Sequence, residues 1–134
     1  MAGYPQGAQL GAYQKVAAHG GVAAADPHGL VLMLMDGALQ RIAAARGCIE
    51  RGSLSEKSQL LHRVVQILGE LRGSLDLSAG GQIANNLSEL YDYMCRRLLT
   101  ASLENSVGML DEVAGLLREI RGAWTAIPQE ARSR

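Results

Sequence analysis

The stretch that decides the fold begins with a glycine pair and continues as a long amphipathic segment: residues 80–99 read GGQIANNLSELYDYMCRRLL. Its apolar side chains recur every three or four residues, which is the period of a helix with one buried face; they are Ile83, Leu87, Leu90, Met94 and Leu98. Adjacent glycines favour a break in a helix, because their backbone is least restricted. We therefore predict a break over 77–81 and a helix over about 82–102.

A second helix is predicted near the start of the chain. The Asp26 side chain can accept hydrogen bonds from the first amides of a helix, Pro27 suits the first helical position, and Gly52 can end the helix. Between them, one apolar line alternates steps of four and three residues: Val31, Met35, Ala38, Ile42, Ala45 and Ile49. This spacing predicts a helix that reaches about residue 51.

Two more amphipathic segments complete the set. One follows a very short turn, where Ser53 and Glu56 have the spacing of a capping box. The other is predicted over about 106–127 and is ended by Pro128. Their apolar lines are Leu61, Val64, Leu68, Leu71 and Leu75, then Leu110, Val113, Leu117, Ile120, Trp124 and Ile127. Because the connections are short and no strand pattern competes, we predict an all-α fold, an antiparallel up-and-down four-helix bundle over 26–127.

The segments outside the predicted bundle differ in composition. Residues 1–25 are rich in Gly and Ala, with Leu10 and Tyr13 at helical spacing. A helix this short does not persist alone in water, so we expect an N-terminal arm carrying a short helix that docks or moves. Residues 128–134 are predicted to be a polar tail.

Composition excludes several classes of protein. The 134 residues fit one domain, and thirteen basic residues balance thirteen acidic ones. That balance argues against a nucleic-acid binder and against attachment to an anionic membrane. Neither a signal peptide nor a membrane-spanning segment is apparent, and Cys48 and Cys95 lack metal-ligand spacing. We expect a cytoplasmic protein with two reduced thiols.

The chain shows no catalytic or metal-binding pattern. His19, His28 and His62 have no partner at metal-ligand spacing, and the Glu-x-x-His motif of di-iron bundles is missing. No glycine-rich phosphate loop follows a strand, since no strands are predicted. We therefore expect no enzyme activity, no cofactor and no metal.

Surplus apolar surface is the main functional signal in the residues themselves. Three of the helices carry apolar residues beyond the roughly three in seven that a bundle helix needs, namely Leu32, Leu39, Leu60, Ile67, Tyr91 and Leu99. Such an excess must be covered, by a second copy of the chain or by a peptide helix lying in a groove.

Two further patterns allow a bland and a functional interpretation. Tyr91 can simply cap the core, whereas Tyr93 is expected to be exposed beside two arginines, where it can anchor a partner. Gly108, Gly115 and Gly122 recur every seven residues. They either belong to a solvated face, which we favour, or form a channel for another backbone.

Several of these stretches together resemble the flagellar export chaperone family, FliS. The matching blocks run in order along nearly the whole chain: residues 26–31, 35–38, 49–52, 80–94 and 116–124. The block LYDYM after a Gly-Gly turn is the most specific of them. Two positions depart from the family pattern: Met35 stands where Tyr or Phe is common, and Gly29 stands where Gln is usual.

The resemblance implies a cytosolic chaperone for flagellin. It implies binding of flagellin's disordered C-terminal segment, prevention of its premature polymerisation, and delivery to the flagellar type III export gate. The N-terminal arm of such proteins can occupy part of the cargo surface. We expect Leu10 and Tyr13 to form this latch, with the remaining flagellin-binding residues on the bundle: Leu32, Leu39, Ile67, Tyr91 and Met94. The alternative is a structural homodimer that has no cargo.

Overall fold

The computed structural model describes residues 26–127, which form an all-α four-helix bundle. The helices are α1 (Pro27–Arg51), α2 (Leu54–Gly73), α3 (Leu77–Glu104) and α4 (Val107–Thr125). The predicted fold class is therefore confirmed. The predicted arm over 1–25, with Leu10 and Tyr13, and the tail over 128–134 lie outside the described residues.

Helix α1 begins and ends where the sequence predicts. The Asp26 carboxylate accepts a hydrogen bond from the backbone N–H of His28 at 3.0 Å, and Pro27 occupies the first turn. At the other end Gly52 has a φ of +79°, in the left-handed region that favours glycine. Its N–H donates to the Ile49 carbonyl, so the chain reverses within a very short turn.

The capping box predicted at the start of α2 is wrong. Ser53 precedes the helix, but its side chain makes no capping hydrogen bond. The box requires the Ser53 backbone N–H to donate a hydrogen bond to the Glu56 side chain. That N–H instead donates to the Cys48 carbonyl at 2.8 Å, because it closes the end of α1. The short turn therefore satisfies a carbonyl at the end of α1 and leaves α2 without a side-chain cap.

Sequential helices pack side by side, and α4 returns to α1, which closes the ring. Contacts between helix ends show that neighbours are antiparallel. Trp124 near the end of α4 stacks on His28 at the start of α1. Lys57 near the start of α2 bonds the carbonyl of Ser102 near the end of α3. The result is the predicted up-and-down arrangement.

The core is built from aliphatic side chains, methionine and alanine, as expected for a chain without Phe. Its fully buried large members come from all four helices: Met35, Leu68, Met94, Leu98, Leu110 and Leu117. Tyr91, which is 3% exposed, is the aromatic side chain of this cluster. Within residues 26–127, no helix has an apolar stretch long enough to cross a bilayer.

Helix α3 starts earlier than predicted and is interrupted where the glycine pair predicts a break. A single turn from Leu77 precedes Gly81, whose φ of 58° and ψ of −135° are not helical. Asp76 caps that turn by accepting from the Ala79 N–H at 3.0 Å, a signal that the sequence prediction overlooked. At Gly80 an added Cβ would lie 2.5 Å from the Ala84 Cβ. Both glycines are therefore required, one for its dihedral angles and one for space.

Candidate functional site

The candidate site is an apolar groove at the end of the bundle where α1 and α3 begin and α2 and α4 end. It consists of two adjoining depressions of about 480 and 470 Å³. Both are lined by the same two pairs of side chains from α3 and α4: Ile83 with Leu87, and Ile120 with Trp124. We call the two depressions together the end groove.

The two pairs that define the end groove follow directly from helical spacing. Each pair is separated by four residues, so both members lie on the same side of their helix. Ile83 is 75% exposed, a large unburied area for an isoleucine. An exposed large apolar side chain in an apolar groove is typical of an interaction surface.

The remaining walls come from the other two helices and from the glycine break. Val31 of α1 and Leu71 of α2 contribute apolar sides, and Tyr91 lies below them. Burial raises the pKa of Tyr91 to about 12, so its hydroxyl stays neutral. The capped turn before the kink at Gly81 forms a further wall, through Asp76, Ala79 and Gly80.

Trp124 is held rigidly in this groove by His28. The two rings stack with their centroids 5.0 Å apart and their planes at 11°. The Trp124 indole N–H donates to the His28 carbonyl at 3.0 Å, and His28 Nε2–H donates to the Trp124 carbonyl at 2.6 Å. Because a carbonyl only accepts, this bond requires the Nε2 protonated form of the ring. The indole thus presents a fixed surface to the groove.

Sequence reasoning missed the role of His28. It considered the residue only as a metal ligand and rejected it on spacing. The structure makes it a buried side chain, 6% exposed, that joins the start of α1 to the end of α4. The available signal was topological: in an antiparallel ring, the first turn of α1 lies beside the last turn of α4.

Five of the predicted flagellin-binding residues lie within the described range 26–127, and they do not form one surface. Met94 and Ile67 lie in the core, at 0% and 2% exposure, and of these five Tyr91 alone lines the end groove. Leu32 and Leu39 are partly buried on α1. Met94 and Ile67 pack within the core cluster that includes Tyr91, so they can support the groove from beneath.

Tyr93, which was expected to be exposed, is partly buried and bound to its own chain. Its hydroxyl donates to Glu112 at 2.5 Å, and Arg97 donates to the other oxygen of the same carboxylate at 2.9 Å. The bonds from Tyr93 and Arg97 lower the pKa of Glu112, and the bond to Glu112 raises the pKa of Tyr93. The ring therefore joins α3 to α4 rather than offering a free anchor.

The glycines spaced by seven on α4 lie in open space. An added Cβ at Gly115 or Gly122 would meet nothing within 4 Å. At Gly108 the nearest atom would be the Ser106 hydroxyl, at 4.0 Å. The structure thus favours the solvated-face interpretation.

The opposite end of the bundle is closed by polar contacts. Lys57 is 5% exposed, and its ammonium donates to the Ser102 carbonyl at 2.7 Å and to the Asn105 side chain at 2.8 Å. Asn105 has a φ of 52° and ends α3. We call these three residues the sealed end. Leu103 of α3, near this end, is 85% exposed.

Comparison with known proteins agrees with this architecture. The sequence model of a family described as "Flagellar protein FliS" matches residues 8–131. This chain belongs to the FliS family. The resemblance seen in the sequence is therefore confirmed, and the match covers the helices that build the end groove.

Individual FliS relatives match along most of their length. The flagellar secretion chaperone FliSB of Pseudomonas aeruginosa is 44% identical over 115 residues, covering 86% of this chain and 91% of that protein. FliS of Salmonella typhimurium is 44% identical over 121 residues, covering 90% of each chain. FliS of Vibrio cholerae is 39% identical over 121 residues, covering 90% of this chain and 89% of that protein.

These relatives are named flagellar secretion chaperones, and FliS is a family of chaperones and not of enzymes. Within residues 26–127, no group of three or more His, Cys, Asp or Glu side chains is placed to hold a metal ion. Most side chains that line the end groove are apolar, so the groove can bury apolar side chains of a partner.

Proposed function

We propose that this FliS protein binds the disordered C-terminal segment of flagellin in the cytoplasm and keeps it from polymerising. It then delivers the segment to the flagellar type III export apparatus. The observation that carries the proposal is the end groove, with its exposed Ile83 and fixed Trp124. The names of the relatives support the chaperone class.

The physical basis is coupled folding and binding. A disordered segment loses conformational entropy when it is ordered on a surface, and burial of apolar area offsets that cost. The end groove offers four large apolar side chains on two helices, arranged to receive the apolar face of a short helix. A bound segment would cover Ile83 and remove its exposed area from water.

The test is calorimetric titration with a peptide covering the C-terminal segment of flagellin from the same organism. One-to-one binding with a negative heat-capacity change is expected, because apolar surface becomes buried. Ile83→Ser should weaken binding about fivefold or more, as central apolar contacts commonly do. Helicity should be unchanged, since the side chain is mostly exposed.

Leu103→Ser is the matched control, because Leu103 is an exposed apolar residue of the same helix near the sealed end. Its affinity for the peptide should equal that of the wild type. Equal effects of both substitutions, or none, would show that flagellin does not use the end groove.

The N-terminal arm is proposed to act as a latch on this surface. Residue 26 lies directly before the first turn of α1, which contacts Trp124, so the arm is tethered beside the groove. Leu10 and Tyr13 supply the apolar side chains. Tyr13→Ala should raise flagellin affinity by opening the groove, with unchanged circular dichroism. Unchanged affinity would exclude the latch.

A structural homodimer is the alternative function. The exposed side chains of Leu99 and Leu103, which are 56% and 85% exposed, favour it. Light scattering on the free protein separates the two: a monomer supports the chaperone, and a dimer dissociated by Leu103→Ser supports the alternative.

A further inference from the structure

The apolar end groove carries charges of a single sign. Among residues 26–127, the charged side chains that line it are Asp76 and Glu119. Asp76 lines the first depression and Glu119 the second, so they lie on different parts of the same apolar surface. This is a local feature, because the chain as a whole has a net charge of zero.

Both carboxylates are available to a partner. Glu119 is exposed and forms no ion pair with another residue of the described range 26–127. Asp76 uses one oxygen, Oδ1, for the Ala79 N–H and the Ser78 hydroxyl. Those bonds, that of Ala79 foremost, lower the pKa of Asp76 and keep its carboxyl ionised.

Two arginines lie close to Glu119 on α4, Arg118 and Arg121, and neither lines the groove. Arg121 donates through Nε and Nη2 to the two carboxylate oxygens of Asp36 on α1. It therefore does not neutralise the groove. A segment that lies across the apolar surface meets a carboxylate at each depression.

We propose that the end groove selects an amphipathic helix whose apolar face is flanked by basic residues. The occupant places its apolar side chains between the α3 and α4 pairs and its lysines or arginines against Asp76 and Glu119. The proposal adds to the chaperone function the chemistry of the bound segment. It rests on the proposed function only in taking flagellin as the natural cargo.

Two synthetic peptides test the preference on the full chain. They share one apolar helical face and differ in carrying either lysine or glutamate beside it. Binding is followed by the fluorescence of Trp124, the single tryptophan of the protein and a lining residue of both depressions. The lysine peptide should bind about three- to tenfold tighter at low salt, as expected for two exposed ion pairs, and the difference should shrink in high salt.

Substitutions locate the effect. Asp76→Asn with Glu119→Gln removes both charges, and asparagine retains the ability to cap the turn. This double variant should bind the two peptides equally. Glu89→Gln, an exposed acidic residue of α3 that does not line the groove, should keep the wild-type preference.

Several results would overturn the proposal. One is equal affinity of the two peptides for the wild type, and another is a preference that survives in the double variant. A third is that neither peptide alters Trp124 fluorescence in the wild type or in Tyr13→Ala. A fourth is a wild-type dimer that Ile83→Ser dissociates, since a second copy would then fill the groove.

The flagellin titration separates this inference from the proposed function. If the flagellin peptide binds and the double variant binds it as well as the wild type does, charge selection fails and the chaperone function stands. If the lysine peptide binds selectively and the flagellin peptide does not bind, the charge selection stands and the cargo assignment fails.

Discussion

The two ends of the bundle use the same four helices in opposite ways. At the sealed end, buried Lys57 of α2 donates to the Ser102 carbonyl near the end of α3 and to the side chain of Asn105. At the other end, Ile83, which follows the glycine break in α3, and Trp124 of α4 line an open groove. Both ends satisfy helix termini with polar contacts, but the groove end also leaves large apolar side chains exposed, and such a surface is typical of a binding site.

The largest expected effect comes from breaking the sealed end. Lys57→Met keeps the length of the side chain and removes the ammonium, which leaves the Ser102 carbonyl and Asn105 without their donor. The free energy of unfolding should fall by about 2–3 kcal/mol, measured by denaturant unfolding. Peptide binding at the end groove should persist in the folded fraction.

Arg118→Met is the control for that variant, because it also removes a cationic side chain but from an exposed position on α4. Its effect should stay within about 0.5 kcal/mol. Equal destabilisation by both variants would mean that the buried lysine does not seal the end.

The next largest effect is expected from a substitution that changes the shape of the groove end. Gly81→Ala forces a side chain into backbone angles that only glycine adopts readily, so unfolding free energy should fall by about 1–2 kcal/mol. The turn that forms a wall of the groove should also shift, and flagellin affinity should fall with it. Both quantities are measured on the same protein, by denaturant unfolding and by calorimetry.

Gly69→Ala is the matched substitution, since Gly69 is helical and an added Cβ would meet nothing within 4 Å. It should stabilise the bundle by about 1 kcal/mol through helix propensity, without altering affinity. A gain in stability from Gly81→Ala would contradict the role given to the kink.

The smallest expected effect is the acid dependence of stability that Glu112 contributes through its contacts between α3 and α4. Hydrogen bonds from Tyr93 and Arg97 lower the pKa of Glu112 below its ordinary value of 4.5. A depressed carboxyl pKa stabilises the folded state above the unfolded value, and this contribution disappears as pH falls through the folded value. Unfolding measured from neutral pH to below pH 4.5 should show this loss.

Tyr93→Phe should flatten that acid dependence, because it removes the donor that contributes most to the shift. Phenylalanine retains the packing of the ring, so the two proteins should have similar stability once the pH lies below the lowered pKa of Glu112 and its ionised form is lost. An identical pH profile in both proteins would assign the acid sensitivity to other carboxylates.

The sequence was most predictive where structure depends on near neighbours. The Asp26 cap and the Gly52 stop are local signals, and both are found where expected. The apolar lines lie in the core or against it, except for Ile83, Trp124 and Ile127. The Ser53 box failed because two helices compete for one backbone N–H. The break at Gly81 was predicted, but the helical turn before it was not, since its cap at Asp76 was overlooked.

The candidate site was less predictable because it depends on which helix ends meet. His28 and Trp124 are 96 positions apart, and their stacking follows only from the closed ring. Periodicity placed Tyr91 and Met94 on apolar lines but could not say which line faces the interior. Ile83 was read as part of a core line, yet the kink at Gly81 leaves it outside the core.

The contact between His28 and Trp124 also has a consequence for engineering. It brings residue 26 and residue 127 to the same end of the molecule, beside the groove. A circularly permuted chain can therefore connect residue 127 to residue 26 and open instead at Gly52, in the tight turn at the far end. Fluorophores or affinity tags attached at those new termini would leave the groove unobstructed.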